Sequence, residues 1–437
     1  MADSPNLLVI HTDEQSCWTL SAYGGTLVDT PHIDSLAKEG AILTNFITNV
    51  AVCTPSRGVF LTGRYEHVHG AYRNNLSLNR DEITFAQALR DQGYDTGYAG
   101  KWHLDGTPRP GWVHPDRTMG FDDAPYMFNR GHWKKVEDSG MNEMEPTAYP
   151  YKEMGDENTY PTDWLTEKTN EFLMRDRENP FCFMLSIPDP HPPFTVRAPY
   201  DTMYDPAQMP LPDTRHEENQ PSWVPNRQAP ADDVLRKHMA NYCGMVKVID
   251  DCVGKMLDAL REKGILDNTI VVFTSDHGEY LGEHGLMGKN QLYETAYRVP
   301  MLIRWPEKIA AGTRIDRLVG TVDFMPTVLT LMGFEPCGRE HGRDASGILR
   351  GEDVEWDDVC YVHHAENRAG VFTSDYELAY VVDHDAILFD RKNDPDQVNN
   401  LFHSAEHQEA IAKMTADLAA HHASVDSPAA EWLQKLV

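Results

Sequence analysis

Residues 53–64 read Cys-Thr-Pro-Ser-Arg-Gly-Val-Phe-Leu-Thr-Gly-Arg, and this segment predicts a short helix with a functional N-terminus. Pro55 is tolerated in a first helical turn because its missing amide hydrogen has no intrahelical acceptor there, and Gly63 can end the helix. Cys53 therefore lies at the mouth of the helix, where the dipole is positive. Cys53 and Arg57 project from one helix face, and a guanidinium there suits a tetrahedral oxyanion. A cysteine standing alone is more often a small buried hydrophobic residue.

Four segments indicate strands of an α/β protein, at residues 7–12, 94–99, 181–187 and 269–274. Open α/β sheets bind their ligands at the carboxyl ends of parallel strands, so the polar residues that follow these segments are candidates for a site. Those residues are Asp13, Glu14, Gln15, Lys101, His103, His191, Asp276 and His277. A single acid at a strand end would more often cap the next helix.

Helical patterns alternate with the strands. Capping residues and closing glycines predict helices within residues 30–40 and 84–93, and a stripe of apolar residues predicts a long helix over residues 232–263. Residues 371–388 indicate antiparallel strands, and residues 409–420 indicate a helix. Residues 109–162 are predicted to form a loop-rich insertion, from which His132 and Trp133 could contact a substrate.

Composition and charge exclude several classes of protein. A chain of 437 residues favours one large domain with a smaller one appended. The net charge of -29 argues against partners such as nucleic acids or anionic membranes. Seven cysteines without regular spacing indicate reduced thiols. No leader precedes the apolar run at residues 7–10 and no segment could span a bilayer, so we expect a cytoplasmic protein, or a periplasmic or secreted one if a leader was removed.

The motifs at residues 53–64, Cys-x-Pro-Ser-Arg and Leu-Thr-Gly-Arg, resemble the signature of the type I, formylglycine-dependent sulfatases of the alkaline phosphatase superfamily. Further motifs of that family follow in order, at residues 100–103, 188–194, 275–279 and 288–289. The resemblance implies an α/β fold with a large mixed, mostly parallel sheet flanked by helices, and a smaller C-terminal α+β subdomain containing an antiparallel sheet. The pattern changes near residue 352, which predicts a catalytic domain of residues 1–352 and a subdomain of residues 353–437.

The resemblance also implies the roles of individual residues. The residues that it places at a divalent cation are Asp13, Glu14, Cys53, Asp276 and His277. The residues that it places at the reacting sulfate are Cys53, Arg57, Lys101, His103, His191 and Lys289. Many relatives have an aspartate at position 14, and Glu14 is longer by one methylene, so Gln15 is the alternative ligand. An oxygen-rich set of this kind favours calcium, with magnesium as the second choice.

In the implied reaction, Cys53 is first oxidised to formylglycine, and one hydroxyl of the hydrated aldehyde attacks sulfur. Arg57, Lys101 and Lys289 hold the sulfonate oxygens. His191 protonates the leaving alcohol, and the second hydroxyl, deprotonated by His103, expels sulfate. The products are an alcohol and inorganic sulfate.

The expected partners are a small sulfated organic or carbohydrate substrate and a formylglycine-generating maturation enzyme, whereas the oligomeric state stays open. The acidic surface disfavours long sulfated polymers. One alternative is a phosphonate monoester or phosphodiester hydrolase of the same superfamily. Another, from a different class, is a degenerate protein that binds a ligand without turnover.

Overall fold

The structure is a computed structural model that describes residues 4–106, 111–136, 153–225, 229–364 and 367–437. The strands in these ranges are β1 (Asn6–Asp13), β2 (Ala41–Ile47), β3 (Asp95–Lys101), β4 (Asp123–Phe128), β5 (Phe181–Pro190), β6 (Thr269–Ser275), β7 (Met301–Arg304), β8 (Thr313–Gly320), β9 (Val359–His364), β10 (Arg368–Thr373), β11 (Tyr376–Val381) and β12 (Ile387–Asp390). The helices are α1 (Pro31–Lys38), α2 (Cys53–Thr62), α3 (Glu66–His69), α4 (Phe85–Asp91), α5 (Pro161–Leu173), α6 (Asp232–Glu262), α7 (Glu294–Tyr297), α8 (Phe324–Leu331), α9 (Ser346–Leu349), α10 (Gln408–Ser424) and α11 (Ala430–Leu433).

Eight strands form the main sheet, in the order β4-β3-β5-β1-β6-β7-β2-β8. Every neighbouring pair is parallel except the two that β7 makes, with β6 and with β2. The predicted mixed, mostly parallel sheet is therefore confirmed. Strand β1 lies near the centre of the sheet, and its Thr12 is opposite Ser275 of β6.

The two faces of β1 are buried in separate hydrophobic clusters. Leu8 and Ile10 belong to a cluster that includes the apolar stripe of α6, whereas Leu7 and Val9 belong to a cluster that includes residues of α4 and α8. A strand covered on both faces carries apolar residues at successive positions, which explains its unbroken apolar run. Helix α6 matches the long helix predicted from its apolar stripe almost to the residue.

Strands β3 and β5 approach each other closely at Gly100. The φ angle of Gly100 is +108°, and a Cβ atom at this position would overlap the backbone oxygen of Ser186. Only glycine meets both conditions without strain. The pairing of β3 with β5 therefore continues to the residue immediately before Lys101, which ends β3.

A second sheet, β12-β11-β10-β9, is antiparallel throughout. One face packs on the main body of the protein, where Phe372 and Phe389 join a cluster with Tyr293, and the other face is covered by α10. The antiparallel strands and the helix predicted for this region are confirmed, whereas the domain boundary near residue 352 stays a prediction. Residues 123–128, which were predicted to be loop, form the edge strand β4. In the described ranges, no helix is long and apolar enough to cross a membrane.

Candidate active site

Polar residues from four strand ends meet at one edge of the main sheet. Strand β1 ends at Asp13 and β3 at Lys101, while β5 and β6 end immediately before His191 and Asp276. These four strands are parallel neighbours, so their carboxyl ends lie at the same edge. Asp13, Lys101 and Asp276 are completely buried there.

Cys53 is the first residue of α2, and its side chain reaches this edge. The helix ends at Gly63, whose φ is +63°, in agreement with the capping pattern. The Sγ atom of Cys53 lies 3.1 Å from Nε2 of His277. Nδ1 of His277 is 3.0 Å from the carbonyl oxygen of Gly278, so Nδ1 carries the ring proton and Nε2 accepts. Burial raises the pKa of the Cys53 thiol to about 11, which makes the encoded thiol a poor nucleophile at neutral pH.

Four side chains form a compact donor set. Asp13, Cys53, Asp276 and His277 each offer one ligand atom, and these atoms lie within 4.8 Å of one another. Oδ1 of Asp13 is buried and accepts no hydrogen bond from the described residues. The Sγ atom of Cys53 stands in for an oxygen of formylglycine hydrate. The donor set then consists of two carboxylates, an imidazole and that oxygen, and it fits calcium or magnesium. The family resemblance implies such a cation, and these residues fit it.

Positive side chains offset the charge of the buried carboxylates. Lys101 Nζ contacts Asp13 Oδ2. Burial alone would raise the pKa of Asp13, but Lys101 and the other nearby cations hold it well below its ordinary value. Asp13 is therefore ionised at neutral pH, as a metal ligand must be.

Arg57 lies behind the carboxylates rather than in an open anion pocket. Its Nε donates to Asp276 Oδ2 at 3.1 Å, and one terminal nitrogen lies 3.0 Å from the same oxygen and 3.7 Å from Asp13. The other terminal nitrogen donates to the Lys101 carbonyl at 3.0 Å and to Ser186 Oγ at 2.7 Å. The expectation that Arg57 holds the sulfonate oxygens stays a prediction. Its Nε and one terminal nitrogen donate to protein acceptors, whereas the other terminal nitrogen lies beside the carboxylates but makes no hydrogen bond with the described residues.

Glu14 pairs with the two candidate substrate residues. Its Oε2 accepts a hydrogen bond from Lys289 Nζ at 2.7 Å and lies 3.2 Å from His191 Nε2. Burial raises the pKa of Glu14 to about 8. In this arrangement the Glu14 carboxylate is not part of the four-residue donor set. Gln15 donates to Thr19, and its Oε1 is buried without a hydrogen-bond partner among the described residues, so the choice between Glu14 and Gln15 as ligand stays a prediction.

His103 is positioned by a turn rather than by a strand. Strand β3 ends at Lys101, and His103, two residues later, has a φ of +61°. The carbonyl of His103 accepts a hydrogen bond from Thr54 Oγ1 at 2.9 Å, which ties this turn to the residue after Cys53. His103 is 3% exposed.

The two candidates from the loop-rich insertion have different surroundings. His132 stacks on His191, with ring centroids 3.8 Å apart, and burial lowers the pKa of both imidazoles well below the ordinary value. Both rings are therefore neutral at pH 7. Trp133 packs against Phe128 with centroids 4.9 Å apart and is 5% exposed, so its indole fills the core rather than facing the site.

Three residues that the sequence analysis did not assign support this arrangement. Ser186, on β5, accepts from Arg57. Ser56 donates to the carbonyl of Asp276 at 2.7 Å and so joins α2 to the end of β6. Glu279 accepts from the backbone amides of Leu281 and Gly288 and thereby orders the loop before Lys289. Ser56 and Glu279 lie inside recognised motifs. The partner of Ser56 is 220 positions away and could not be inferred from spacing, whereas the partners of Glu279 are only two and nine residues further along the chain.

Comparison with known proteins identifies the family. The sulfatase family model matches residues 5–334, and a model described as the C-terminal part of N-sulphoglucosamine sulphohydrolase matches residues 282–424. An ulvan-active sulfatase from Formosa agariphila is 31% identical over 432 residues, covering 95% of this chain and 80% of that protein. This chain therefore belongs to the sulfatase family. It is a sulfuric ester hydrolase.

Solved structures show the same fold. A protein in complex with its substrate, D-glucosamine-2-N,6-O-disulfate, superposes with a TM-score of 0.78 at 25% identity, covering 97% of this chain and 98% of that chain. A phosphonate monoester hydrolase from Agrobacterium radiobacter superposes with a TM-score of 0.80 at 22% identity, covering 96% of each chain. The fold alone thus does not separate sulfate esters from phosphonate esters.

Proposed function

We propose that this protein hydrolyses a sulfate ester of a small sulfated carbohydrate and that formylglycine, formed from Cys53, supplies the nucleophile. The observation that carries this proposal is the placement of Cys53, 3.1 Å from His277 and within the Asp13–Asp276 donor set. A thiol whose pKa is about 11 is poorly suited to attack at neutral pH, whereas an aldehyde hydrate offers two hydroxyls.

The metal-binding residues would be Asp13, Asp276 and His277, with calcium as the first choice and magnesium as the second. When bound, such a cation polarises the sulfonate and lowers the pKa of a coordinated hydroxyl. Arg57 fixes the Asp276 carboxylate through its Nε and one terminal nitrogen. Its role in this proposal is to orient metal ligands.

His191 would protonate the leaving alcohol. Its Nε2 atom lies 3.2 Å from Glu14 Oε2. Nδ1 of His191 is 2.7 Å from the carbonyl of Pro192, which fixes the orientation of the ring, and His132 stacks on its face. Nδ1 therefore carries the proton of the neutral ring, and Nε2 has to take up a second proton before His191 can pass it to a departing alcohol oxygen. Glu14, whose pKa is about 8, is the neighbouring proton source in this proposal. Lys289 supplies a positive charge beside it for the sulfonate oxygens.

A small carbohydrate is the proposed substrate class for two reasons. One solved relative binds a doubly sulfated glucosamine as its substrate, and the net charge of -29 would repel a long polyanion. Screening sulfated monosaccharides, aryl sulfates, choline sulfate and sulfated polysaccharides tests this class. Higher kcat/KM on a polymer than on every small ester would overturn the size argument.

The role of residue 53 is tested by peptide mass spectrometry. Protein expressed with and without a formylglycine-generating enzyme should show specific activity proportional to the fraction of residue 53 present as the aldehyde. Cys53→Ala should be inactive, and Cys337→Ala, which changes an exposed cysteine, is the matched control. Full activity in protein whose residue 53 is entirely thiol would exclude the proposed nucleophile.

The reaction class is tested with matched aryl sulfate and phenylphosphonate esters that share one leaving group. We expect the higher kcat/KM on the sulfate. A clear preference for the phosphonate would favour the phosphonate monoester hydrolase. No turnover of any ester by verified formylglycine protein with calcium would favour a binding protein.

A further inference from the structure

A second cluster of potential metal ligands lies where the catalytic part of the chain meets the C-terminal sheet. Helix α3 follows α2 closely and carries Glu66 and His67, whereas His363 lies on β9. One ligand atom from each of these three residues lies within 4.8 Å of the other two. We call Glu66, His67 and His363 the junction cluster.

Each residue of the junction cluster has a buried polar atom without a hydrogen-bond partner in the part of the chain that the structure describes. These atoms are Oε2 of Glu66, Nδ1 of His67 and Nδ1 of His363. The exposed fraction is 1% for both Glu66 and His363. Leaving three such atoms unsatisfied in one place is costly, and buried polar groups in proteins nearly always have a partner.

The other ring nitrogens of the two histidines are already engaged. Nε2 of His67 lies 2.9 Å from the carbonyl oxygen of Val425, so it carries the proton and leaves a lone pair on Nδ1. Nε2 of His363 lies 3.1 Å from Nε2 of His421. This is the arrangement of metal-binding histidines, in which the nitrogen remote from the metal is held by an outer hydrogen bond.

The surroundings keep both imidazoles neutral and fixed. Burial lowers the pKa of His67 and lowers that of His363 well below its ordinary value. The Tyr65 ring stacks on His363 with centroids 3.9 Å apart and holds its plane. Neutral imidazoles offer lone pairs to a cation, whereas protonated ones would repel it.

The geometry points to a second metal site at the junction cluster, bound by Nδ1 of His67, Nδ1 of His363 and the carboxylate of Glu66. Two imidazoles and one carboxylate favour zinc or a similar first-row divalent ion over calcium and magnesium, which prefer oxygen ligands. The ion would join residues that follow α2 to the C-terminal sheet. It would thus tie the helix that begins at Cys53 to the C-terminal region.

Zinc binding to the full chain in excess calcium tests this inference, because calcium occupies the oxygen-rich donor set of the candidate active site. Zinc that stays bound after desalting is quantified by inductively coupled plasma mass spectrometry. We expect one zinc per chain in the wild type, and an affinity at least about tenfold lower in His67→Gln and His363→Gln. His403→Gln, which changes an exposed histidine of the same region, should bind zinc as the wild type does.

Two further measurements keep the test decisive if His363→Gln does not fold. Zinc should raise the apparent Tm of the wild type and of His403→Gln but not that of His67→Gln, whose residue is only partly buried. Cobalt bound in place of zinc should give the visible spectrum of a site with nitrogen ligands, and the spectrum should be absent from His67→Gln. Equal zinc content in the wild type and in His67→Gln, or no zinc retained by the wild type, would overturn the inference.

Discussion

Replacing Arg57 should destabilise the protein even when catalysis plays no part. The guanidinium is 2% exposed and makes contacts with Asp276, Lys101 and Ser186, as well as a longer ion pair with Asp13. Arg57→Ala would leave two buried carboxylates with one fewer positive charge beside them. Removing one partner of a buried ion pair costs about 3–5 kcal/mol, because the remaining charge stays buried.

This free energy converts to a measurable change in Tm. Unfolding entropy is about 2.1 cal/mol/K per residue, or about 0.7 kcal/mol/K for a unit of roughly 350 residues. A loss of about 3–5 kcal/mol therefore lowers Tm by about 4–7 °C. Arg57→Lys keeps the charge but not the planar fork, so we expect a smaller decrease.

The assay is thermal unfolding of unmodified protein, with chelator and with calcium. The unmodified cysteine form is used so that the comparison does not depend on how much of residue 53 has been converted to formylglycine. The decrease should be largest with chelator, because a bound cation offsets the same carboxylates. Arg80→Ala is the control, since its ion pair with Asp116 is exposed and screened by solvent, so its loss should leave Tm nearly unchanged. An unchanged Tm for Arg57→Ala in chelator would refute the claim that Arg57 neutralises these carboxylates.

Three further predictions follow from single features. Glu279→Leu removes the acceptor of the Gly288 amide and should raise KM for an aryl sulfate by about tenfold, whereas Glu279→Gln keeps an acceptor and should change KM little. Equal effects of the two variants would count against a role of Glu279 in positioning the loop before Lys289. Gly100→Ala should lower Tm by several degrees more than Gly312→Ala, which also has positive φ but has open space around it, and calorimetry of both variants decides this. Partial desolvation and the neighbouring Glu340 raise the pKa of Cys337 although its side chain is exposed, so its alkylation at pH 8 should be slower than that of a free cysteine and should still rise between pH 9 and pH 10. A rate that is already flat at pH 9 would contradict this.

The sequence predicted best those elements whose burial leaves a regular pattern. Strand β1 is covered on both faces and reads as an apolar run, and α6 shows the apolar stripe of a helix buried on one side. Strand β7 left no comparable pattern, because it is only four residues long and lies between two longer strands.

The placement of the site residues was less predictable than their identity. The family motifs identified Arg57 as a site residue. Its spacing from Cys53 shows that the two residues share a helix face, but it does not show which groups accept hydrogen bonds from the Arg57 guanidinium. Those acceptors are on β3, β5 and the end of β6. The turn at His103 was not predicted, because nothing in the sequence showed that the chain turns into positive φ after Lys101. The junction cluster joins residues almost 300 positions apart, which no local pattern can relate.

The burial of α2 has a consequence for the order of events during biosynthesis. All ten of its residues are buried, and the helix is held by Ser56, which bonds to Asp276 some 220 positions later in the chain. An enzyme that oxidises Cys53 needs this segment as an accessible peptide, and the folded protein does not present it as one. The conversion that we propose therefore has to occur before β6 pairs with β1, in the interval between synthesis of residue 53 and completion of the central sheet.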